Sequence, residues 1–316
     1  MSIKSRPRAA FSFGMKGSSM AELRFTVPEE WDGRTAGDFL RREKGVSSRL
    51  VKQLKKLSPP LGLCRNEGHI RTVDLLCRGD VLTLRWEEEE TLTPSAASVQ
   101  VLYEDEQLMV FNKPFDMPSH PAKKHQTDTL GNVFAALMAQ QGLSLPFRPV
   151  NRLDKDTTGI VVAAKDAYTA SKLAGKVEKT YLAILCGCPP EESGTVDAPI
   201  RRVDPVHILR EVSAEGRRAV THYQVLCKSE RYSLVRFSLE TGRTHQIRVH
   251  MAHLGCPLAG DGWYGGDDRL MHRQALHCDF CRFTHPVSGE TVEITAPPDA
   301  DFLAAMQQEF GKKDVW

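Results

Sequence analysis

The residues of this chain best suited to chemistry are Arg152 and Asp154, in the polar segment Arg-Leu-Asp-Lys-Asp-Thr-Thr-Gly at 152–159. The apolar run that follows, at 160–164, is β-branched at three of its five positions, which predicts a buried strand. The preceding loop would then hold Asp154 and Arg152 at the mouth of a rigid strand. A carboxylate fixed in this way is a candidate catalytic group.

The motif alone leaves several interpretations of Asp154. Its spacing is similar to the start of a calcium-binding loop, but the twelfth position, which needs an acidic ligand, is Lys165. It also resembles the nucleophile segment of aspartyl phosphatases of the haloacid dehalogenase type, in which the hydrophobic strand precedes the aspartate. Here the strand follows it. The remaining interpretation is a solvated turn at the start of a strand, which is common for Asp, Thr and Gly together.

The longer segment, residues 152–165, resembles the signature of the RluA class of RNA pseudouridine synthases. In that family the aspartate is the nucleophile, which corresponds to Asp154. The family usually has a histidine where this chain has Asn151. The resemblance also implies that Arg152 fills or steers the space vacated by a flipped base.

Further motifs extend the resemblance, in the same order, over residues 99 to about 303. They include Glu-Lys-Thr-Tyr-Leu-Ala at 178–183, Gly-Arg-Thr-His-Gln-Ile-Arg at 242–248 and Ala-Leu-His at 275–277. The resemblance implies that Tyr181 stacks on the base and serves in proton removal, that Arg248 pairs with Asp154 from a strand motif, and that Leu276 is a wall of the pocket. The other substrate contacts that we expect are Asn151, Arg243, His245 and Gln246.

The N-terminal part of the chain predicts two basic helices and a short β unit. Thr35 caps a helix at 36–44 and Ser47 caps a second at 49–57, followed by strands at 61–65, 69–72 and 80–86. Residues 34–56 hold eight basic and two acidic side chains. The pattern resembles the α-L RNA-binding module of a small-subunit ribosomal protein and of several RNA-modifying enzymes. The residues expected to contact RNA are Arg49, Lys52, Lys55 and Lys56; the alternative is a solvated basic face.

We therefore expect an α+β protein: a catalytic domain of the pseudouridine synthase type with a mostly antiparallel mixed sheet, preceded by a small α/β RNA-binding module. The expected boundaries are a disordered tail at 1–20, the α-L-type module at 21–88, a linker at 89–98 and the catalytic domain at 99–316. In that domain, strands are predicted at 99–103 and 108–112. Helices are predicted around 130–138 and from about 166 to 177.

Composition narrows the class of protein. No stretch approaches the ~20 apolar residues that a membrane-spanning helix needs. The eight cysteines show no disulfide framework, which favours reduced thiols in a cytoplasmic protein. Cys278 and Cys281 with His285 form half of a zinc site, but the second pair of ligands is missing, so no metal is expected. No phosphate-binding or dinucleotide-binding glycine motif is present, and no cofactor is expected.

Together these features predict an RNA pseudouridine synthase that isomerises a specific uridine in structured RNA. Ribosomal RNA is the favoured substrate over transfer RNA. The protein is expected to act as a monomer and to bind no membrane. Breaking an N-glycosidic bond and making a C-glycosidic one needs neither net redox change nor energy input, so the absence of cofactor motifs suits this activity. The alternative from a different class is a non-catalytic RNA-binding protein on the same fold, which the replacement of the usual histidine by Asn151 keeps open.

Overall fold

The computed structural model describes residues 20–87, 92–122, 124–204 and 208–311; for Met20, Ala21, Arg49 and Glu87 it describes the backbone alone. The predicted tail, apart from Met20, and the first residues of the predicted linker lie outside these ranges. Within these ranges the chain forms a four-stranded sheet near the N-terminus, a ten-stranded sheet after it and a two-stranded hairpin, and the two larger sheets have separate hydrophobic cores. The expected α+β class with a mostly antiparallel main sheet is confirmed.

The strands of the N-terminal sheet are β1 (Met20–Thr26), β2 (Gly62–Arg65), β3 (Gly68–His69) and β4 (Val81–Glu87). The sheet is antiparallel, with the strand order β1-β4-β2-β3. Its helical segments are a 3-10 turn (Glu29–Trp31), α1 (Ala36–Asp38), a π-helical continuation (Phe39–Glu43) and α2 (Ser48–Leu54). β3 is shorter than predicted because Asp74 accepts the backbone N–H of Arg71 and turns the chain away.

Both predicted helix caps are present. The side chain of Thr35 accepts the backbone N–H of Asp38, and that of Ser47 accepts the N–H of Leu50, which satisfies donors that a helix start leaves unpaired. α2 ends at Leu54 rather than at Leu57, and the intervening residues form a tighter turn before Pro59.

α2 separates apolar from basic side chains. Leu50, Val51 and Leu54 are buried in the N-terminal core. Three of the predicted RNA contacts, Lys52, Lys55 and Lys56, are exposed on the remaining surface of α2 and the turn after it. The side chain of the fourth, Arg49, lies outside the described residues.

The strands of the main sheet are β5 (Gln100–Glu104), β6 (Leu108–Lys113), β7 (Arg148–Pro149), β8 (Thr158–Ala164), β9 (Glu178–Cys186), β10 (Ser193–Asp197), β13 (Val220–Lys228), β14 (Tyr232–Leu239), β15 (Leu276–Thr284) and β16 (Thr291–Thr295). Their order is β10-β13-β14-β9-β15-β8-β6-β5, with β7 paired to β8 and β16 paired to β15. A separate hairpin joins β11 (Ile200–Arg202) to β12 (Arg210–Val212). The helices of this unit are α3 (Leu130–Gln140), α4 (Ala167–Leu173), α5 (Gln246–His253) and α6 (Ala300–Phe310).

The strand predicted from the apolar run is β8, which is buried along its whole length. It pairs antiparallel with β6 and parallel with β15. At Gly159 the φ angle is +104° and a Cβ would lie 2.7 Å from the backbone nitrogen of Cys278. Only glycine allows both this backbone conformation and this close approach of β15.

The prediction that Arg248 lies in a strand motif is wrong, because this segment forms α5. Its sequence, Gln-Ile-Arg-Val-His-Met, alternates polar and apolar residues, which is a strand pattern. The helix is stable nevertheless because its polar side chains are paired in the interior. His250, for example, contacts Thr221 Oγ1 at 2.8 Å and the carbonyl oxygen of Ala198 at 2.9 Å.

The described part of the predicted linker, residues 92–98, is hydrogen-bonded to α3. Asn132 donates a hydrogen bond to the carbonyl oxygen of Thr93 at 2.7 Å, and its own backbone carbonyl oxygen accepts the N–H of Ser95. None of the helices in the described ranges is both long and apolar enough to cross a membrane.

Candidate active site

A cleft beside the main sheet gathers side chains that are far apart in the sequence. It is formed by the loop before β8, the start of α5, and residues of β9 and β15. The predicted site residues that line it are Arg152, Asp154, Tyr181, Arg243, His245, Gln246, Arg248 and Leu276. The folded chain therefore brings together eight of the nine residues expected around the substrate.

Asp154 is the carboxylate of this cleft, and its side chain is 28% exposed. Arg248 Nη1 donates to its Oδ2 atom at 3.3 Å. His245 Nε2 lies 3.8 Å from the same oxygen. The carboxylate can therefore be reached from the cleft while a guanidinium stabilises its anionic form.

Arg248 is held more tightly by a second acid, Asp261, which the sequence reasoning did not single out. The guanidinium donates to both carboxylate oxygens, with Nε–Oδ2 at 2.6 Å and Nη2–Oδ1 at 2.8 Å. Both side chains are almost fully buried, with 5% and 1% exposed. This two-point contact fixes the plane of the guanidinium so that its remaining Nη1 group faces Asp154. The signal for it in the sequence is its place at the end of Gly-Cys-Pro-Leu-Ala-Gly-Asp, residues 255–261, a segment that also resembles the family.

His245 is oriented by Tyr264, another residue that sequence reasoning missed. The Tyr264 hydroxyl accepts the backbone N–H of Arg210 at 3.0 Å and lies 2.7 Å from His245 Nδ1. The hydroxyl can still donate its own proton to Nδ1, and that arrangement places the proton of a neutral imidazole on Nε2, facing Asp154. Burial lowers the pKa of His245, which favours this neutral form.

Tyr181 and Leu276 form apolar walls of the cleft, with 6% and 5% of their surfaces exposed. Burial raises the pKa of Tyr181 well above its usual range, and the nearby Cys278 thiol and Asp154 carboxylate act in the same direction. Tyr181 therefore remains a neutral phenol at neutral pH. This favours the predicted stacking contact and disfavours proton removal by a tyrosinate.

The remaining polar lining residues differ in their freedom to bind a ligand. Arg152 is exposed and forms no ion pair within the described part of the chain, and Arg243 is exposed with its Nε bonded to the carbonyl oxygen of Arg218. Gln246 is buried, and its amide is already paired: Oε1 accepts from Thr241 and from the Arg243 backbone, and Nε2 donates to the backbone of Val220. Gln246 therefore holds the turn before α5.

The predicted substrate contact by Asn151 is not supported, because this side chain does not line the cleft. Its Nδ2 donates to the carbonyl oxygen of Ile160 at 3.0 Å, and its Oδ1 accepts the N–H of Val162 at 2.9 Å. Both polar groups are thus used on the backbone of β8. Asn151 fixes the loop that carries Asp154 to the strand.

Two buried basic side chains, Lys113 and Arg273, bind the backbone of the same loop. Lys113 Nζ, which is fully buried, donates to the carbonyl oxygens of Pro114, Met117 and Lys155 at 2.7 to 2.9 Å. Arg273 Nη1 donates to the carbonyl oxygen of Asp156 at 3.2 Å. Burial lowers the pKa of Lys113 to about 7. These contacts fix the backbone on the C-terminal side of Asp154.

The cysteines of the predicted zinc half-site are core residues. Cys278 and Cys281 are buried, and burial raises the pKa of each thiol. In the described ranges, no three His, Cys, Asp or Glu side chains are grouped so that they could hold a metal ion.

Comparison with known proteins identifies the family. A model of the RNA pseudouridylate synthase family matches residues 107–253. The uncharacterized RNA pseudouridine synthase YjbO of Bacillus subtilis (strain 168) is 37% identical over 275 residues, 84% of this chain and 96% of that protein. Ribosomal large subunit pseudouridine synthase D of Pasteurella multocida (strain Pm70) is 36% identical over 246 residues, 70% of this chain and 74% of that protein.

A solved structure gives the same result. The human RNA Pseudouridylate Synthase Domain Containing 4 protein matches with a TM-score of 0.54 and 27% identity, over 66% of this chain and 92% of its own. The relatives and the fold together define an isomerase that modifies RNA. The chain belongs to the family of RNA pseudouridine synthases, in the RluA class.

Proposed function

We propose that this chain converts a specific uridine of ribosomal RNA, rather than transfer RNA, to pseudouridine, with Asp154 as the nucleophile. The observation that carries the proposal is the pairing of Asp154, accessible in the cleft, with the buried guanidinium of Arg248 at 3.3 Å. A carboxylate must be ionised to attack, and an adjacent fixed cation favours the anion when a bound base excludes water.

The target uridine must leave its helical stack before Asp154 can reach it, at a cost of ~a few kcal/mol. Arg152 is exposed at the cleft and carries no competing ion pair among the described residues, so its guanidinium is available to occupy the vacated space or to bind the backbone. Tyr181 and Leu276 offer the apolar surfaces between which the flipped base would lie.

The reaction breaks the bond between uracil N1 and ribose C1′ and forms a bond between C5 and C1′. Asp154 attacks either C1′ or the uracil ring; both routes begin with the same carboxylate. The proton on C5 is lost and N1 gains one, so atoms and electrons balance without a co-reactant. Because Tyr181 remains a phenol, its proposed part is to stack on the base while it turns.

Two observations support ribosomal RNA as the substrate. Relatives in several bacteria carry the name ribosomal large subunit pseudouridine synthase D. The N-terminal unit, residues 20–87, exposes Lys52, Lys55 and Lys56, which suits an α-L-type module that binds a structured RNA. We further propose that the protein acts as a monomer, since one chain supplies the whole cleft, and in the cytoplasm, where thiols outside disulfides stay reduced.

The test is single-turnover pseudouridine mapping of a large-subunit ribosomal RNA transcript with excess enzyme. We expect Asp154→Asn to abolish product while RNA binding persists, because the amide keeps the shape but cannot attack. Asp156→Asn makes the same change in charge two residues away, and we expect it to keep most of the activity. Pseudouridine formation by Asp154→Asn would refute the assignment of the nucleophile, and modification of transfer RNA alone would refute the proposed substrate.

A further inference from the structure

The N-terminal unit packs against α4 of the main unit, which is the part of the chain that forms the ten-stranded sheet. The ring of Tyr168 lies 6.3 Å from that of Phe25, measured between centroids, and Ala167 packs against the same N-terminal core. Ser171 Oγ donates to the carbonyl oxygen of Gly45 at 3.3 Å. α4 and the turn around residue 45 therefore form a junction between the two units.

Three lysines lie on the segments that form this junction. Lys172 Nζ lies 5.3 Å from the centroid of the Tyr168 ring, and it packs so closely on Gly45 that a Cβ there would clash with it. Lys44, the neighbour of Gly45, comes from the N-terminal unit, whereas Lys172 and Lys176 come from the end of α4 and the turn that follows it. The ammonium group of Lys172 therefore lies against the segment of the N-terminal unit that carries Lys44.

The cluster contains more positive charge than the surrounding acids can offset. Burial, together with the charges of Lys176 and Lys44, lowers the pKa of Lys172, and Glu43 is the one acid that acts in the opposite direction. Glu43 lies 3.5 Å from Lys44 Nζ. No carboxylate in the described ranges lies within ion-pair distance of Lys172 or Lys176. Like charges held together repel each other, and a bound anion would relieve that repulsion.

We propose that Lys44, Lys172 and Lys176 form a binding site for one phosphate of the substrate RNA, at the junction between the N-terminal unit and α4. This inference deepens the proposed function, because it assumes an RNA substrate. A phosphate at this point is contacted by both units at once. It therefore fixes the RNA strand relative to the cleft, which lies on the main unit, without reading any base.

The test is the salt dependence of RNA affinity, measured with a large-subunit ribosomal RNA transcript. Each bound phosphate contributes ~0.7–0.9 to the slope of log affinity against log salt concentration. We expect Lys44→Gln/Lys172→Gln/Lys176→Gln to reduce the slope by about this amount, since one phosphate is then no longer neutralised. Lys176→Gln alone changes an exposed side chain and should weaken binding without altering the packing of the junction.

Two controls separate a phosphate site from general charge or a loosened junction. Lys228→Gln/Arg231→Gln/Arg269→Gln removes three exposed cations near the turn between β13 and β14, and we expect the slope to stay at the wild-type value. Lys172→Arg keeps the charge and should keep the slope. An unchanged slope in the junction variant, or an equal reduction in the control set, would overturn the inference. Because the readout is binding, it stands even if wild-type protein forms no pseudouridine, a result that would reject the proposed function instead.

Discussion

Arg248 pairs with two acids, so its replacement should damage catalysis and stability by separable amounts. Arg248→Met leaves Asp261, of which 1% is exposed, without a partner. Breaking a buried ion pair from one side costs about 3–5 kcal/mol, against a typical total stability of about 5–15 kcal/mol. Replacing both partners by apolar residues of similar volume is often nearly neutral. We therefore expect Arg248→Met/Asp261→Leu to recover most of the free energy of unfolding that the single variant loses.

Catalysis should not recover in the double variant, because Asp154 still lacks its guanidinium. Unit charges 3.3 Å apart attract by roughly 5 kcal/mol at an effective dielectric constant of about 20, but Asp261 shares the same cation. A charge-assisted hydrogen bond contributes about 1.5–3 kcal/mol, which corresponds to a roughly 10- to 150-fold slower reaction. Both variants should show this loss in single-turnover pseudouridine formation.

Stability is measured by urea unfolding, with tryptophan fluorescence as the signal. Activity is measured by mapping pseudouridine under conditions in which each variant is folded. Arg269→Met is a matched control, because its pair with Asp267 is exposed at 60% and 30% and should contribute less than about 1 kcal/mol. Wild-type turnover by the double variant would refute the contact with Asp154 as the function of Arg248. Wild-type stability of Arg248→Met would refute the cost of leaving Asp261 unpaired.

Three further outcomes are expected. Burial lowers the pKa of His277 from 6.5 to about 4, so between these pH values the unfolded chain binds a proton that the native one does not. The free energy of unfolding should therefore decrease as the pH is lowered across this window, by on the order of 3 kcal/mol from this group; an NMR titration of His277 near pH 6.5 would contradict this. Arg49→Gln/Lys52→Gln/Lys56→Gln should weaken RNA binding and lower the salt slope by ~0.7–0.9 for each phosphate that these side chains neutralise, whereas an unchanged slope would mean a merely solvated face. Pseudouridine formation should survive exhaustive chelation with the RNA kept folded; loss of activity that zinc alone restores would contradict it.

Local patterns predicted those elements whose stability depends mainly on nearby residues. The apolar run at 160–164 lies in β8, the predicted caps at Thr35 and Ser47 are present, and the helix predicted around 130–138 is α3. Each depends on residues within about one or two turns of helix or one strand length. The same reasoning predicted a strand for the α5 segment and was wrong there, because the residues alternate between polar and apolar. The helix is favourable because its polar side chains find partners elsewhere in the chain.

Residue types in a fixed order were enough to predict the family, the segment that carries Asp154 and most of the side chains around the cleft. The charge and the orientation of those groups depend on contacts that form only in the folded chain. Arg248 is shared between Asp154 and Asp261, and the ring of His245 is held by its contact with Tyr264. The physical reason is that charge and hydrogen-bond interactions depend on distance and on exclusion of water. Both are properties of residues brought together by folding, across 94 positions of the chain in the case of Asp154 and Arg248.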